Sequence, residues 1–388
     1  MKKIVHIMLT GPVTDGWTYQ DNIITKYHRK RGYDVTIITS EWIYDNNGEL
    51  KKDNRHEYIN ENDVKVIRLP IVGKDIFNRK FKRYKSLLTT LKSERPDILF
   101  VHGVAFRDIK TIVKYILTNL KCTVYVDNHA DFSNSGRNWL AKNVLHKTIW
   151  KHYAQMIEPY VKKFYGVLPA RVDWLVDMYN LPKEKCELLV MGADDEKVEE
   201  AQTNGWRNMI REKYNINNDD FLIMTGGKID IAKTQTLLLM EAVRRINDKH
   251  VKLIVFGSVV KGLQKNVRAL TDGEKIQYIG WVEADKSYSY WSAADLVVFP
   301  GRHSVFWEQV AGMGIPMICK YWEGTTHVDC GGNVKFIKTD DIDEIKDLIK
   351  HCIYNKEEFE AMKSAAKDGA HTFSYKNIAA RAIDINEE

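Results

Sequence analysis

The sequence predicts an α/β protein of two domains, each containing a parallel sheet, and three observations support this. Short apolar runs rich in β-branched residues alternate with helical segments. The same alternation restarts in the second half of the chain. The 388 residues, of which 44% are hydrophobic and 28% charged, are enough to bury two separate cores. Strands that alternate with helices form parallel sheets with right-handed crossovers.

The first half contains six predicted strands. Each is the kind of apolar run that is buried in a parallel sheet, and the runs are KKIVHIML, DVTIIT, VKVIRL, DILFVH, CTVYVD and, at residues 164–169, FYGVLP. Glycine or proline lies beside several of them, as at Gly32, Pro70 and Pro96. Helices are predicted near residues 18–31 and over about 138–163, the second of them basic.

The second half repeats the pattern after LLVMGAD at residues 188–194. Its predicted strands are FLIMTGG, KLIVFGS, KIQYIG, LVVFPG and PMICK, at the spacing of βα units. We therefore expect a first domain over residues 1–185 and a second over 186–365. Residues 366–388 are expected to form a closing helix that packs back toward the first domain.

Composition and charge exclude several classes of protein. No apolar run approaches the roughly 20 residues that span a bilayer. The segment MKKIVHIMLTGP lacks a small-residue cleavage site and is interpreted as a buried first strand, not a signal peptide. The five cysteines are odd in number and not closely paired, which fits a reducing cytosol without disulfides or a zinc site. A net charge of +6 is too mild to indicate nucleic-acid binding.

Residues 74–92 form a basic segment with two open interpretations. The segment KDIFNRKFKRYKSLLTTLK contains seven basic residues against one acid, and Phe77, Phe81, Tyr84 and Leu88 fall near helical spacing. A basic amphipathic helix is typical of an element that binds a membrane surface or a partner. The alternative is a surface helix whose aromatic residues face the core of its own domain.

A glycine-lysine motif follows the first strand of the second domain. In TGGKIDIAK, Gly226 and Gly227 precede Lys228, and Lys233 follows five residues later, before an amphipathic helix. Glycines let the backbone approach a ligand, and two lysines near a helix start suit a diphosphate. A tight turn with solvated lysines is the alternative.

A second motif lies between Pro300 and Glu308. The strand LVVFP ends in a polar loop with Arg302, His303 and Ser304, and a helix is expected to begin near Glu308. The acid can accept hydrogen bonds from ribose hydroxyls, while free helix N–H groups face an anion. A capping box with Ser304 as the N-cap is a compatible interpretation.

The third candidate motif is VYVDNHADFS, where a strand ends in Asp127, His129 and Asp131. A histidine and carboxylates in such a loop can activate or position an acceptor, but these ligands alone do not make a convincing metal site. The loop from Gly11 to Gly16 lacks the GxGxxG fingerprint of a dinucleotide site.

The order and spacing of these motifs are similar to those of the retaining glycosyltransferases of family 4, the group 1, glycogen-synthase-like enzymes with the GT-B fold. The matching steps are Gly227-Lys228 with Lys233, LIVFGS, YIGWV, SAADLVVFP and EQVAGMGIP. VMGAD at 190–194 resembles the family's hinge-side motif, with Met191 where asparagine is usual. FVHG at 100–103 and NHAD at 128–131 resemble two strand ends of the family's first domain.

The resemblance implies two Rossmann-like domains facing across a cleft, the first binding the acceptor and the second the nucleotide sugar. Lys228 and Lys233 would neutralise the donor diphosphate, Glu308 would hold the ribose, and Asp131 or His129 would lie near the transferred sugar or the acceptor hydroxyl. The implied donor-binding residues are Gly16, Gly227, Lys228, Lys233, Gly257, Trp281, Val282, His303, Ser304, Val305 and Glu308.

One position departs from the family pattern. The family has a further glutamate eight residues before Glu308, and this chain has Pro300 there. His303 or Ser304 takes the place of that acid, or the sugar contact is rebuilt. The departure leaves the donor sugar open and also bears on activity.

The expected function is transfer, with retention, of a hexose-type sugar from a nucleoside diphosphate, UDP being favoured. The acceptor would be a hydroxyl of a lipid-linked or saccharide molecule in bacterial surface polysaccharide synthesis. No metal or other cofactor is expected, and the expected location is the cytoplasm, at the inner face of the cell membrane. The alternatives are a GT-B sugar-nucleotide epimerase and a catalytically inactive homologue that serves as a scaffold.

Overall fold

The computed structural model describes residues 1–45, 49–73, 81–132, 134–135, 139, 141–231 and 234–385. The chain divides into two compact units, one comprising Met1–Val190 with Ile378–Glu388 and the other Met191–Asn377. The sequence had placed its boundaries at residues 185 and 365. Both units are α/β with large parallel sheets, which confirms the predicted fold class.

The first unit is built on an eight-stranded sheet. The strands of this unit are β1 Lys3–Met8, β2 Asp34–Ser40, β3 Trp42–Tyr44, β4 Leu50–Lys52, β5 Glu57–Ile59, β6 Lys65–Leu69, β7 Ile98–His102, β8 Thr123–Asn128, β9 Val161–Gly166 and β10 Cys186–Leu188. The order across the sheet is β10-β9-β8-β7-β1-β2-β6-β5, parallel except for the antiparallel β5–β6 pair. Strands β3 and β4 form a separate antiparallel pair.

Helices cover both faces of this sheet, as parallel strands require. The helices of the unit are α1 Gln20–Lys30, α2 Leu87–Glu94, α3 Ile109–Leu117, α4 Lys151–Ile157 and α5 Pro169–Asp173, with π-helical turns at Ala141–Trp150 and Trp174–Met178. The predicted helix over 138–163 therefore ends earlier than expected, because its last residues already belong to β9.

The two faces of the central strands differ in chemistry. One face carries Val5, Ile7, Leu99, Val101 and Val126, all fully buried in one apolar cluster. The opposite face carries polar and aromatic side chains, and register pairs them across the strands: His6 lies opposite Phe100, and His102 opposite Asp127. Because side chains alternate along a strand, this second set shares one side of the sheet.

The chain's last residues hydrogen-bond to this polar face. The hydroxyl of Tyr125 donates to Asp384 over 3.2 Å, and the hydroxyl of Tyr165 donates to the main-chain oxygen of Arg381 over 3.1 Å. The ring Nε2 of His28, on α1, lies 2.8 Å from the main-chain oxygen of Ala379. Residues 378–385 thus satisfy buried polar groups that the β-strands leave on this face.

The predicted amphipathic helix over 74–92 is corrected where the structure describes it, and residues 74–80 lie outside the described part. Helix α2 begins only at Leu87, because Lys82 and Ser86 have left-handed backbone conformations, with φ of 46° and 62°. Tyr84 is buried, and its hydroxyl donates to the main-chain oxygen of Leu9 over 2.8 Å. Phe81 packs against the same core, so these aromatic side chains face their own unit.

The second unit contains a six-stranded sheet in which every pair is parallel. Its strands are β11 Phe221–Gly226, β12 Val251–Phe256, β13 Ile276–Tyr278, β14 Leu296–Phe299, β15 Met317–Lys320 and β16 Val334–Ile337, in the order β13-β12-β11-β14-β15-β16. Strand β16 was not predicted. Its sequence, VKFI, is short and only half-buried on two positions, so it lacks the long apolar run of the others.

The remaining helices follow the strands of this unit. They are α6 Asp195–Thr203, α7 Trp206–Lys213, α8 Gln235–Arg244, α9 Gln264–Ala269, α10 Ser287–Trp291, α11 Phe306–Gly312, α12 Ile342–Tyr354, α13 Lys356–Gly369 and α14 Tyr375–Arg381, the last of which runs into the first unit's segment. Asp341 caps α12, since its carboxylate accepts from the N–H groups of Asp343 and Glu344.

Among the described residues, none of the helices has both the length and the apolar character that crossing a membrane requires.

Candidate active site

In the sheet of the second unit, the strand order reverses at β11. Strands β12 and β13 lie on one side of β11, and β14 to β16 lie on the other. Ligands of open α/β sheets bind outside the carboxyl ends of strands at such a switch point. The residues that follow β11, β12 and β14 are therefore the first place to look for a ligand site, and all three loops contain predicted residues.

Glycines bring two of these loops together. Gly227 and Gly257 have φ of 126° and 127°, a region that favours glycine. A side chain at Gly257 would clash with the carbonyl group of Gly227, and one at Gly226 would overlap the ring of Phe256. The N–H of Gly227 donates to the oxygen of Phe256 over 3.0 Å. The close approach of the β11 and β12 loops thus depends on these glycines.

A cavity opens at this point, and its walls contain two of the unit's cations. The residues around it are Thr225, Gly226, Gly227, Lys228, Ile229, Thr236, Val255, Phe256, Phe299, Pro300, Gly301, Arg302 and Ser304. Lys228 and Arg302 are exposed at its rim. Lys233, the second predicted lysine, lies outside the described residues. A cavity with backbone glycines and two cations suits a diphosphate.

Glu308, on α11, is fully buried and is held by two histidines. The Nε2 atoms of His303 and His327 lie 2.7 Å and 2.8 Å from its Oε1 atom. Burial by itself raises the pKa of Glu308, but the two histidines outweigh it and hold the pKa well below its usual range. The second oxygen, Oε2, is buried and has no hydrogen-bond partner among the described residues. The carboxylate is therefore ionised, with one acceptor oxygen uncommitted.

The same three side chains, Glu308, His303 and His327, also have the spacing of a metal-ligand group. Their ligand atoms lie within 4.8 Å of one another. However, a neutral histidine can donate its Nε2–H to a carboxylate, so the short distances are explained by two hydrogen bonds to Oε1. Asp219, Asp220 and His250, of which Asp219 is exposed and Asp220 buried, also have metal-ligand spacing, and none of the three lines the cavity.

Ser304 does not cap the helix as its motif suggested. Helix α11 begins at Phe306, the N-cap position is Val305, and no side chain caps it. Ser304 lines the cavity, and its main-chain oxygen accepts from the N–H of Trp307 over 3.0 Å. His303, Ser304 and Val305 thus form the loop between the cavity and the buried Glu308.

Trp281 stands beside the same strand ends. The oxygen of Gly280, which has a φ of 79°, accepts a hydrogen bond from the N–H of Gly257 over 2.7 Å and ties the β13 loop to the β12 loop. Trp281 is 69% exposed and Val282 is buried. An exposed indole next to a buried aliphatic residue can stack on a planar ring.

In the first unit, the two predicted side chains after β8 differ in environment. Asp131 is buried, and its carboxylate pairs with the Nε of Arg171 at 3.0 Å and accepts from the N–H of Asn134. His129 keeps a 42% exposed side chain, with its Nε2 3.5 Å from Asp127. Asp131 therefore holds the loop in place, whereas His129 remains accessible to a ligand.

Gly16, the remaining predicted residue, lies in the loop after β1. Its φ is 74°, and its N–H donates to Glu61 over 2.8 Å. The glycine is needed for this backbone conformation, and its N–H is already bonded within the unit.

Sequence reasoning missed several residues that the structure adds to these sites. His327 reaches Glu308 from 19 positions along the chain. Arg302 was named in the predicted polar loop but was not assigned to the donor site, and it lines the cavity. In the first unit, His6, His28 and His102 are buried and contact one another, ending at Asp127. A histidine inside a strand, as in KKIVHIML and DILFVH, was the available signal.

Chemically, the second unit can bind a ligand that combines an anion, hydroxyl groups and a planar ring. The anion suits the glycine loops with Lys228 and Arg302, the hydroxyls suit Glu308, and the ring suits Trp281. Nucleoside diphosphates have these three parts.

Solved structures share this fold over nearly the whole chain. A glycosyltransferase from Rickettsia africae matches 99% of this chain and 97% of its own at 14% identity, with a TM-score of 0.67. Alr3699/HepE from Anabaena, solved with UDP, matches 99% of both chains at 12% identity and a TM-score of 0.68. WaaG, a glycosyltransferase involved in lipopolysaccharide biosynthesis, matches 98% of this chain and 99% of its own at 14% identity and a TM-score of 0.66.

No curated protein sequence matches the chain. The family of glycosyl transferases group 1 matches residues 207–369, which contain the glycine-lysine loop, the cavity, Trp281 and Glu308. The strand order and the motifs at the strand ends agree with that match. Residues 207–369 of the second unit thus form a domain of the glycosyl transferases group 1 family, and the chain as a whole has the GT-B fold.

Proposed function

We propose that this protein transfers a hexose-type sugar from a nucleoside-diphosphate sugar, with UDP as the nucleotide, to a hydroxyl group with retention of configuration. The acceptor is a lipid-linked or saccharide molecule of a bacterial surface polysaccharide. Alr3699/HepE was solved with UDP and WaaG is involved in lipopolysaccharide biosynthesis, and both support the direction of this proposal.

The observation that carries the proposal is the site at the β11 switch point. The cavity with Lys228 and Arg302 lies at the ends of β11 and β14, and Glu308 follows on the helix after β14. This spacing along one loop supports binding of a diphosphate and a ribose by neighbouring parts of the same unit.

The chemistry requires stabilisation of the leaving diphosphate. Fixed cations and backbone dipoles placed where charge develops supply such stabilisation, and removing one such group lowers the rate by on the order of 10²–10³. Lys228, Arg302 and Lys233 are the cations we assign to this role. Attack on the same face as the departing phosphate would give retention without a protein nucleophile, and no metal is needed in this scheme.

The position of Pro300 bears on the donor sugar. It lines the cavity and offers no carboxylate, so a hydroxyl contact that the family makes through an acid is absent or is made by another group. His303 is committed to Glu308, and Arg302 is assigned to the diphosphate, which leaves Ser304 as the uncharged polar side chain of this loop that lines the cavity. The sugar is expected to be one that a serine hydroxyl can recognise.

A ligand screen tests the proposal directly. Thermal unfolding of the purified protein is measured with UDP, GDP, ADP, CMP and their sugars, with and without a chelator. A ligand at 100 times its dissociation constant adds about 2.7 kcal/mol of stability. We expect a shift with UDP and UDP-sugars that is unaffected by chelation and is lost in Lys228→Ala and Glu308→Gln.

The control variant is Lys265→Ala, an exposed lysine on α9 that does not line the cavity. It should keep the full shift. No response to any nucleotide, or an equal loss in Lys265→Ala, would contradict the assigned donor site. Product formation with an acceptor, and none without one, distinguishes transfer from epimerisation.

We propose in addition that the protein attaches to an anionic membrane surface through the basic segment 74–92. In its described part, Arg83 and Lys85 are exposed, and both side chains can reach lipid phosphates. Each such charge contributes about 1 kcal/mol to binding. Sedimentation with phosphatidylserine vesicles at low salt should weaken in Arg83→Ser/Lys85→Ser and not in Lys265→Ala; an unchanged double variant would contradict this attachment.

A further inference from the structure

Four buried side chains of the first unit form a continuous chain of polar contacts, in the order His28, His6, His102 and Asp127. His28 Nδ1 lies 3.0 Å from His6 Nε2, and His6 Nδ1 lies 2.9 Å from His102 Nε2. His102 Nδ1 lies 2.7 Å from Oδ2 of Asp127. All four residues are almost completely buried, on α1, β1, β7 and β8. Every ring nitrogen of the chain therefore faces another polar atom, and the protons must be distributed among them.

The far end of the chain fixes the first proton. His28 Nε2 lies 2.8 Å from the main-chain oxygen of Ala379, and a carbonyl only accepts hydrogen bonds. Nε2 of His28 must therefore carry a proton. Burial lowers the pKa of His28 to about 4, with His102 and Arg31 adding to the effect against the bond to Ala379, so the ring is neutral at pH 7. Its Nδ1 is then an acceptor.

The remaining protons follow in order. His28 Nδ1 accepts, so His6 Nε2 donates to it. Burial, with His28 and His102 as further causes, holds the pKa of His6 well below its usual range, so His6 is also neutral. Its Nδ1 accepts, and His102 Nε2 donates to it. The donor direction runs from His102 through His6 and His28 to Ala379.

This order leaves Nδ1 of His102 facing carboxylates. Besides Asp127 at 2.7 Å, the Oδ1 atom of Asp21 lies 3.5 Å away. A neutral His102 would present a lone pair to these oxygens, which is repulsive. Burial lowers the pKa of His102, but Asp127 and Asp21 outweigh it and raise the pKa above its usual value. Burial likewise raises the pKa of Asp127, and His102 and His129 outweigh it and hold the pKa far below the usual range.

Asp127 connects this buried chain to the accessible side chain after β8. Its Oδ2 atom, which faces His102, also lies 3.5 Å from Nε2 of His129. An ionised carboxylate at this position favours the Nε2–H tautomer of His129. The other ring nitrogen, Nδ1, then has a lone pair that can accept a hydrogen bond from a substrate hydroxyl.

We propose that His102 and Asp127 are positioning residues: His102 is held as an imidazolium by the histidine chain, keeps Asp127 ionised, and thereby orients His129 toward a hydroxyl of the sugar or acceptor. The role of His129 rests on the proposed function, whereas the protonation of His102 does not. The buried row of histidines thus holds one additional proton on His102, and through Asp127 this proton determines the tautomer of His129.

The first experiment is nitrogen NMR of protein labelled with ¹⁵N-histidine, because ring shifts distinguish the imidazolium from both neutral tautomers. At pH 6.5, where an unperturbed histidine is about half protonated, we expect the imidazolium pattern for His102 and the neutral Nε2–H pattern for His6 and His28. In Asp127→Asn, the amide can donate to His102 Nδ1, so His102 should change to the neutral Nε2–H pattern. A neutral His102 in the unaltered protein would overturn the proposal, whether or not transferase activity is found.

The second experiment tests positioning by a double-mutant cycle on kcat. Asp127→Asn should lower kcat roughly 10-fold, which is less than the about 10²–10⁴ that a positioned proton-transfer group supplies because His129 itself is retained, with little change in the donor KM. Combined with His129→Ala, it should cause no further loss.

The matched control is Asp108→Asn, since Asp108 is another buried carboxylate of this unit, accepting from the N–H of Tyr84 over 2.6 Å. It should leave the His102 signal unchanged. If Asp127→Asn lowers kcat by the same factor in the presence and absence of His129, Asp127 acts independently of His129 and the positioning role is wrong.

Discussion

Each of the two units contains a buried, ionised carboxylate that lies between two histidines, but the surroundings of the two carboxylates suit them to different roles. In the second unit, His303 and His327 both approach the same oxygen of Glu308, at 2.7 Å and 2.8 Å. In the first unit, His102 approaches Asp127 at 2.7 Å and His129 at 3.5 Å. The two sets of side chains are alike, so the difference lies in the groups that contact each histidine on the side away from the carboxylate.

In the second unit the histidines are almost as buried as the acid they hold. Nδ1 of His327 has no hydrogen-bond partner among the described residues. The two rings both approach Oε1 of Glu308 and leave Oε2 for a ligand. In the first unit, the rings of His6 and His28 occupy the far side of His102, and together with Asp127 on its near side they require His102 to be charged. A carboxylate with an uncommitted oxygen is suited to binding a hydroxyl, whereas one that faces a buried imidazolium is suited to orienting a neighbour.

The largest expected effect is the loss of stability when Glu308, the carboxylate of the second unit, is replaced. Glu308→Ala leaves His303 and His327 facing an empty pocket, and breaking a buried pair from one side costs about 3–5 kcal/mol. Glu308→Gln keeps an oxygen acceptor for both rings and should cost less than half as much. Urea unfolding of both variants measures the free energy of unfolding. Equal losses in the two variants would mean that volume, and not the hydrogen bonds of Oε1, sets the stability.

The pH dependence of stability should reveal the first unit's histidine chain. The pKa values of His6 and His28 are lowered on folding, to about 4 for His28, so the unfolded chain binds more protons below pH 6.5. The free energy of unfolding should therefore fall as the pH drops from 6.5 toward 4, by up to about 1.4 kcal/mol per pH unit for each histidine. The buried carboxylates Asp127 and Glu308 add a loss only at lower pH, because their folded pKa values lie below the unfolded ones.

His102 contributes in the opposite direction, because its pKa is raised on folding. Its stabilising contribution is complete below the unfolded pKa and is lost as the pH rises through the folded value, on the alkaline side of 6.5. The free energy of unfolding, measured from pH 4 to 10 in the unaltered protein and in Asp127→Asn, separates these two contributions. The variant should lose the decrease at alkaline pH, which is due to His102, and keep the decrease at acid pH. If the decrease at acid pH disappeared as well, the assignment would be wrong.

A smaller effect is expected for the acid that only holds its loop. Asp131→Asn keeps the bond to Asn134 and weakens the pairing with Arg171, so the loss should be about 1–2 kcal/mol in unfolding free energy. Its effect on kcat should add to that of His129→Ala, unlike the effect of Asp127→Asn. Non-additive kinetics for Asp131→Asn would show that it takes part in orienting His129 after all.

The two carboxylates also differ in how far their surroundings could be predicted from the sequence. The glycine-lysine loop and the Pro300–Glu308 loop are local patterns that follow apolar strands, so their places at the strand ends could be predicted. His303 lies five positions from Glu308 and belongs to the same motif. The chain of His6, His28 and His102 depends on the pairing of β1, β7 and β8 and on a helix packed over them, and sequence periodicity does not carry that register.

Local structure was missed for physical reasons as well. The break at Lys82 and Ser86 consists of non-glycine residues in left-handed conformations, which hydrophobic spacing cannot reveal. The π-helical turns over Ala141–Trp150 have no simple sequence signature either. In contrast, the strands with long β-branched runs were identified because burial on both faces demands an apolar run.

The placement of the last residues has a consequence for biosynthesis. Ala379, Arg381 and Asp384 supply the hydrogen-bond partners of His28, Tyr165 and Tyr125, and these partners lie more than 190 residues beyond the last strand of the first unit, which ends at Leu188. A nascent chain emerging from the ribosome can form that sheet early, but its polar face stays hydrated until residues 378–385 have been synthesised. Folding of the first unit is thus expected to finish only after the whole second unit has been synthesised.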